Sequence, residues 1–292
     1  MTISIAHLGP TGTNAETAAL AYAHWLTEEK GEKCLLCPYP SISQTLKAVA
    51  EKNVDIAVVP VENSTEGTVR TTLDTLWQLD QLKIQQELVL PITHALISTA
   101  QSLTEIKTVY SHPQALAQCQ KWLENHLPAV NLVASNSTTE ALGEIKTQPT
   151  AAAIASPRAA KLYQLPIIAP NIHDYPDNCT RFWVMGLNPT SEGTHISLAF
   201  SFATNMPGLL VKPLQIFADR GINLSRIESR PARRSIGEYL FFIDLESDSA
   251  DSSTKSALAE LANHTEVLKI FGNYSILTID VAWSLDYEKI IQ

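Results

Sequence analysis

The sequence predicts an α/β protein in two parts, and three observations carry that reading. Short apolar runs alternate with helix-periodic segments through residues 1–190. A Pro/Gly/Ser/Thr-rich stretch, GLNPTSEGT (186–194), then interrupts the pattern. Beyond it the order becomes strand–helix–strand–strand–helix–strand over residues 195–279, leaving a tail at 280–292. Strands alternating with helices build layered α/β sheets, and a βαββαβ order builds a ferredoxin-like split βαβ unit.

Taken in order, ISIAHL (3–8) is strand-like and TNAETAALAYAHWL (13–26) reads as a helix. DIAVVPVEN (55–63) is nearly continuous in apolar residues, as buried parallel strands are. Val69, Leu73, Leu76 and Trp77 follow at helical spacing. TVYS (108–111) leads into a helix over 112–123, with Ser111 at the cap and Pro113 in the first turn. NLVAS (131–135) precedes Ser137-Thr138-Thr139-Glu140, a capping box. AAAIAS (151–156) precedes PRAAKLY, again Ser then Pro at a helix start.

In the C-terminal part, HISLAFSF (195–202) alternates Ile196, Leu198, Phe200 and Phe202, one apolar face at period two. A helix carrying Leu210, Leu214 and Phe217 follows and ends at Gly221. Strands over 222–230 and 238–246, a helix over 255–264 and a strand over 267–277 complete the unit.

Composition narrows the function. The chain has 292 residues, 45% of them apolar and 17% charged, which suits a folded globular protein. A net charge of −9 without a Lys/Arg cluster excludes the nucleic-acid binders, whose affinity comes from neutralising phosphates. A small anion stays possible, since one local Arg suffices for it. No apolar run approaches about 18 residues and no basic segment leads an apolar one at the start, so the expectation is a cytoplasmic chain with no membrane partner. Four scattered cysteines make no disulfide framework. Cys34 and Cys37 form a CxxC, but no second pair supplies the four ligands of a structural zinc site, so no metal is expected.

Four stretches carry more polar chemistry than their positions need. GPTGTNAE (9–16) sits between a strand and a helix, where exposed amides attract an anion; a plain strand-to-helix turn accounts for it as well. PVENSTEG (60–67) ends an apolar strand, where open α/β sheets bind ligands, and the competing reading is a solvated loop. SHPQA (111–115) repeats that geometry, with a helix cap as the alternative. NCTRFWV (178–184) sets Thr180 and Arg181 at the mouth of an apolar run after the turn-rich DYPDNC. Arg grips a carboxylate bidentately, as Lys does not. A surface charge on a strand edge is the plainer account.

GPTGT, PVENSTEG, SHPQALAQC and NCTRFWV in this order, followed by GLLVKPLQIFADRGINLSRIESRP, resemble prephenate dehydratase with a C-terminal ACT regulatory domain, over about residues 3–278. The resemblance implies a two-lobed catalytic domain like a type II periplasmic binding protein (1–190) and an ACT domain (195–279). It implies conversion of prephenate to phenylpyruvate with no cofactor, in a homodimer or homotetramer controlled by phenylalanine. Thr180, Arg181 and Phe182 match the family's Thr-Arg-Phe motif, with Thr180 its essential threonine, and Glu62 joins them as a catalytic candidate. Thr11, Thr13, Asn63, Ser64, Gly67, Ser111 and His112 match substrate-binding motifs. Gly208, Leu209, Leu210 and Val211, with Glu228, Ser229, Arg230 and Pro231, match the segments that hold phenylalanine.

Two departures stand out. Asn14 and Ala15 replace the family's Phe-Ser, and Leu209 replaces an alanine, overfilling a packed site at a typical cost of ~1–3 kcal/mol. On this reading Arg181 or a helix N-terminus holds the retained carboxylate, and Thr180 polarises the departing hydroxyl. Glu62 or His112 relays a proton, and Phe182 walls the site. Arogenate dehydratase and a non-catalytic amino-acid sensor are the competing functions.

Overall fold

The computed structural model describes residues 2–233 and 237–280, so the expected tail from 281 onward lies outside the described residues. The first apolar runs become strands β1 (Thr2–Leu8), β2 (Lys33–Tyr39) and β3 (Ile56–Asn63), linked by helices α1 (Asn14–Lys30) and α2 (Ile42–Ala50). Thr13 caps α1 by accepting from the Glu16 amide. Gly31, at φ +66°, ends it in the left-handed conformation that glycine adopts without strain. β1 runs parallel to β2 and β3. Cys34 and Cys37, three apart on β2, turn to opposite faces, each packed against a different core. Strand β4 (Gly67–Thr68), helix α3 (Arg70–Leu76) and strand β5 (Lys83–Pro91) complete the first passage through this lobe.

The chain then crosses into a second lobe. Its strands are β6 (Ala95–Ser98), β7 (Thr108–Ser111), β8 (Asn131–Ala134), β9 (Ala151–Ala155) and β10 (Ile167–Ala169), in the order β10-β6-β9-β7-β8. Helices α4 (Pro113–Gln118) and α5 (Gln120–His126) cover one face, while α6 (Thr138–Ile145) and α7 (Pro157–Tyr163) cover the other. The single helix expected over 112–123 is thus broken at Cys119.

β11 (Cys179–Gly186) returns to the first lobe and runs antiparallel between β5 and β3. The two crossings touch each other: Ile172 N donates to His94 O at 2.9 Å, and Ile92 N donates to Asn178 O at 2.8 Å. Two paired crossings between two sheets make a cleft with a shared floor.

The βαββαβ unit consists of β12 (His195–Ser201), α8 (Val211–Ala218), β13 (Asn223–Pro231), β14 (Tyr239–Glu246), α9 (Ser252–Ala262) and β15 (Val267–Tyr274). Its antiparallel sheet has the order β13-β14-β12-β15. One face packs Ile196, Leu198, Phe200 and Ile243 against Phe217 and Leu261 of its two helices. The opposite face lies on the first lobe, where Leu240, Phe242, Phe271 and Tyr274 share a core with Val59, Val61, Trp183 and Met185. At Gly272 an added Cβ would stand 2.4 Å from Ile84 O, so this close approach of β15 to β5 needs a glycine.

The strand expected over 267–277 breaks after Tyr274. The following β16 (Ile276–Thr278) pairs parallel with β5 and so belongs to the first lobe's sheet, whose order is β16-β5-β11-β3-β1-β2. The domain boundary expected at 279 therefore falls a few residues too late. The C-terminal domain is tethered to that sheet at both ends.

Candidate active site

Between the lobes lies a cavity of about 720 Å³, lined by Thr13, Asn14, Asn63, His94, His112, Gln118, Ser137 and Thr180 among others. Its walls contain the N-termini of α1, α4 and α6, whose first amides have no partner within their helices. No Lys or Arg is among the lining residues, and Glu140 is the sole carboxylate there. That carboxylate accepts from Asn136 N at 2.8 Å and Asn136 Nδ2 at 3.2 Å, one residue before the cap, so of the expected capping box only the Glu140 N to Ser137 Oγ bond (3.0 Å) is made.

Strand register decides which way each motif faces. In the antiparallel pair of β11 and β3, Thr180 stands opposite Asn63 and Arg181 opposite Glu62. Phe182 then stands opposite Pro60, so Val61 is the extra residue of a bulge. A one-residue slip reverses alternation. Beyond the bulge Asn63 turns to the cleft, and Glu62 joins Val61 on the side facing the C-terminal domain.

Asn63 is fixed from both ends. Its Oδ1 accepts from Thr65 N (3.0 Å), Thr65 Oγ1 (2.7 Å) and Glu66 N (3.1 Å), an Asx turn made by the ENSTEG segment. Its Nδ2 therefore faces the other way and donates to Thr180 Oγ1 at 3.0 Å and to Asn178 Oδ1 at 2.9 Å. Asn178 Nδ2 in turn donates to Gln118 Oε1 at 3.0 Å, and Gln118 Nε2 donates to Thr65 Oγ1 at 2.8 Å. Gln118 Oε1 can only accept, so His94 Nε2, 2.9 Å from it, is the protonated nitrogen. Burial holds His94 below its ordinary value of 6.5; Gln118 opposes the shift and His173 adds to it. A chain of amides thus runs from His94 across both lobes to Thr180.

Among the residues singled out in the sequence, the structure brings Thr13, Asn63, His112 and Thr180 to one cavity. Thr13 and His112 reach it as helix caps, His112 Nδ1 accepting from Gln114 N at 3.3 Å. Ser64 supports the floor by donating to Asn178 Oδ1 (3.2 Å) and accepting from Cys179 N (3.0 Å). Gly67, at φ +80°, closes the turn that returns β4 to Asn63. Thr11 is exposed and does not line the cavity. Ser111 is fully buried and donates to Ile154 O at 2.6 Å inside the second lobe. Phe182 lies in the core beneath α1 and forms no wall of the cleft.

Arg181 is not in the cleft either. Its Nε and Nη2 donate to Glu87 Oε1 (2.8 Å) and Oε2 (2.7 Å), its Nη1 to Glu62 Oε2 (2.7 Å), and its Nη2 also to Asp244 Oδ2 (3.0 Å). Burial works against its charge, but the Glu87 hydrogen bonds and the Asp244 and Glu87 carboxylates raise its pKa, so it stays a cation. With all these donors engaged, Arg181 is not offered to a substrate carboxylate, and Glu62 is not offered as a proton relay. His94, Gln118 and Asn178 were missed. Gln118 and Asn178 sit inside the quoted motifs SHPQALAQC and NCTRFWV. His94 stands alone between apolar runs and carries no sequence signal.

Comparison with known proteins agrees with this arrangement. A profile of the prephenate dehydratase family matches residues 5–190, and a profile of the ACT domain matches residues 197–263. The chain belongs to the prephenate dehydratase family. A prephenate dehydratase of Lactococcus lactis subsp. cremoris (strain MG1363) is 38% identical over 287 residues, covering 95% of this chain and 99% of the relative. The crystal structure of a prephenate dehydratase from Arthrobacter aurescens in complex with L-Phe superposes with a TM-score of 0.82 at 32% identity, covering 94% of this chain and 90% of that one. A structure described as GqqA, a novel type of quorum quenching acylase, superposes with a TM-score of 0.79 at 26% identity, covering 94% and 98%. As in the family pattern, an ACT domain follows the two-lobed dehydratase domain. No helix among the described residues is long and apolar enough to cross a membrane. They also contain no cluster of three or more His, Cys, Asp or Glu able to hold a metal.

Proposed function

We propose that the protein converts prephenate to phenylpyruvate. The ring carboxylate leaves as carbon dioxide, its bonding electrons enter the ring, and the ring hydroxyl departs with one proton as water. The observation that carries this reading is the Asn63–Thr180 hydrogen bond. Thr180 Oγ1 accepts from Asn63 Nδ2, so its own proton points elsewhere, toward the cavity it lines. A fixed hydroxyl donor placed there polarises the departing hydroxyl, and an oriented donor in a partly dry site is worth far more than one in water. With Arg181 engaged elsewhere, the helix N-termini are left as the seat of the retained pyruvyl carboxylate. His112, at the cap of α4 on the cavity wall, is placed to relay the proton.

Prephenate fits better than arogenate. Arogenate carries an ammonium in place of the keto oxygen, and the cavity's one carboxylate, Glu140, is already held by Asn136. The 38% relative over 95% of the chain favours dehydration over the acylase chemistry named for the 26% neighbour.

For regulation, phenylalanine binds the ACT domain in a cavity of about 260 Å³ lined by Phe202, Gly208, Leu209, Val211, Tyr239 and Phe241. Exposed Met206 and Val211 at its rim suit a second copy, in a homodimer or homotetramer. Ser229 and Pro231 are likewise exposed, whereas Glu228 and Arg230 turn to the catalytic domain.

The test is phenylpyruvate formation from prephenate and from arogenate side by side, with and without phenylalanine. Turnover of prephenate at the higher kcat/KM, reduced by phenylalanine, is expected. No phenylpyruvate from prephenate overturns the proposal.

A further inference from the structure

The ACT domain supplies charged groups that hold the catalytic strand. Arg181 Nη1 and Nη2 bond Glu62 Oε2 and Asp244 Oδ2 at 2.7 and 3.0 Å. Arg226, on β13, approaches the same two oxygens: its Nε stands 3.6 Å from Glu62 Oε2 and its Nη1 3.6 Å from Asp244 Oδ2. Both distances are too long for hydrogen bonds, so these two buried donors have no hydrogen-bond partner among the described residues. Among the described residues the guanidinium's one hydrogen bond is from Nη2, which donates to Thr68 Oγ1 at 3.1 Å. Two guanidiniums therefore share two carboxylate oxygens, and one of them is under-satisfied. A shift of roughly 1 Å would bring Arg226 within hydrogen-bond distance of both oxygens.

β14 connects the ACT cavity to this cluster. Its Phe241 and Tyr239 line the ACT cavity, while Leu240, Phe242 and Asp244 face the catalytic lobe. A ligand that moves this strand moves Asp244 with it. Ser197 and Tyr274 keep Asp244 on the ACT side, Ser197 donating to its Oδ1 at 2.6 Å and lying 2.7 Å from the Tyr274 hydroxyl.

We infer that Asp244 is a positioning residue for Thr180, holding Arg181, and that Arg226 is its regulatory competitor for Glu62 and Asp244. When Arg181 holds both carboxylates, β11 and β3 stay in the register that joins Thr180 to Asn63. When effector occupancy lets Arg226 take them, Arg181 loosens and the adjoining Thr180 loses its aim. The inference rests on the cleft being the prephenate site and on the ACT cavity taking phenylalanine.

The experiment compares the full-length wild type with Arg226→Gln and Asp244→Asn. Arg226→Gln removes the competing cation, so kcat stays within about twofold while the phenylalanine concentration for half-inhibition rises at least about tenfold. Asp244→Asn lowers kcat about tenfold with KM nearly unchanged, a split that a loss of substrate contacts does not produce. Amide hydrogen exchange supplies a readout independent of turnover: saturating phenylalanine increases exchange in residues 179–186 of the wild type and not of Arg226→Gln. Inhibition of Arg226→Gln equal to wild type, or exchange at 179–186 indifferent to phenylalanine, overturns the inference even where prephenate is turned over. If prephenate is not turned over but the exchange pattern holds, the substrate assignment fails and the coupling stands. Should Asp244→Asn fail to fold, Arg226→Gln and the exchange experiment still decide.

Discussion

Asn63 donates a hydrogen bond to Thr180 across the β3–β11 pair, at 3.0 Å, while its carbonyl is locked by the amides of Thr65 and Glu66. One amide thereby sets the direction of one hydroxyl. The ordered turn after β3 orients the Thr180 hydroxyl, and a donor to its oxygen strengthens its own O–H as a donor.

Thr180→Ala is expected to cut kcat by about 10²–10³ with little change in KM, the loss of a single oriented donor. Thr180→Ser partly restores it. Asn63→Asp replaces the donor by an acceptor, so Thr180 must donate to residue 63 and kcat falls by a comparable factor. Steady-state kinetics of the three variants checks this; unchanged kcat in Asn63→Asp contradicts the assigned direction.

Stability depends on pH through buried histidines. His94 and His7 are both held below 6.5: His94 by burial, then by His173 against Gln118; His7 by burial, with Arg158 adding and Leu8 O and Glu16 opposing. Below 6.5 the unfolded chain takes up protons that the folded chain refuses, so unfolding becomes easier as pH falls. The stabilisation is full above 6.5 and is lost progressively as pH falls below it. Thermal midpoints recorded between about pH 7.5 and 5 are expected to fall, and less steeply in His94→Gln.

Arg158 Nη1 meets Glu16 Oε2 at 2.7 Å, and Gly12 N donates to the same oxygen at 2.7 Å. The pair joins α1 of one lobe to α7 of the other, and both residues are under 9% exposed. Arg158→Ala leaves a buried carboxylate without its cation, at a cost of about 3–5 kcal/mol. Urea unfolding measures the loss. Because the pair spans the lobes beside the cleft, KM for prephenate rises as well.

Leu209 lines the ACT cavity. Leu209→Ala opens space for the effector and is expected to lower the phenylalanine concentration for half-inhibition several-fold, with uninhibited kcat unchanged. Calorimetric titration with phenylalanine reads the affinity directly.

The periodic elements were legible because local patterns specify them: the caps at Thr13 and Ser137, the alternation of Ile196, Leu198 and Phe200. Elements whose ends depend on distant partners were not. Nothing local in 267–277 announces that Ser275 O will accept from Glu87 N and divert Ile276–Thr278 into another sheet. Nor does 112–123 mark the break at Cys119, where Asp174 Oδ2 and Oδ1 accept from Lys121 N (2.9 Å) and Trp122 N (3.1 Å) at the start of α5.

By itself the sequence determined the α/β class, the βαββαβ unit and the family, and it singled out Thr180 and Asn63, because ordered motifs and side-chain period are one-dimensional properties. Only the tertiary structure decided what neighbours of those residues do. Arg181 adjoins Thr180 in the chain, yet alternation sends it to the opposite face, toward Glu87 and Asp244. Glu62 follows it there because the extra residue Val61 shifts the register by one. A bulge depends on two strands brought together from positions 60 and 181, and no single stretch of sequence records which side of the sheet it will leave facing the substrate.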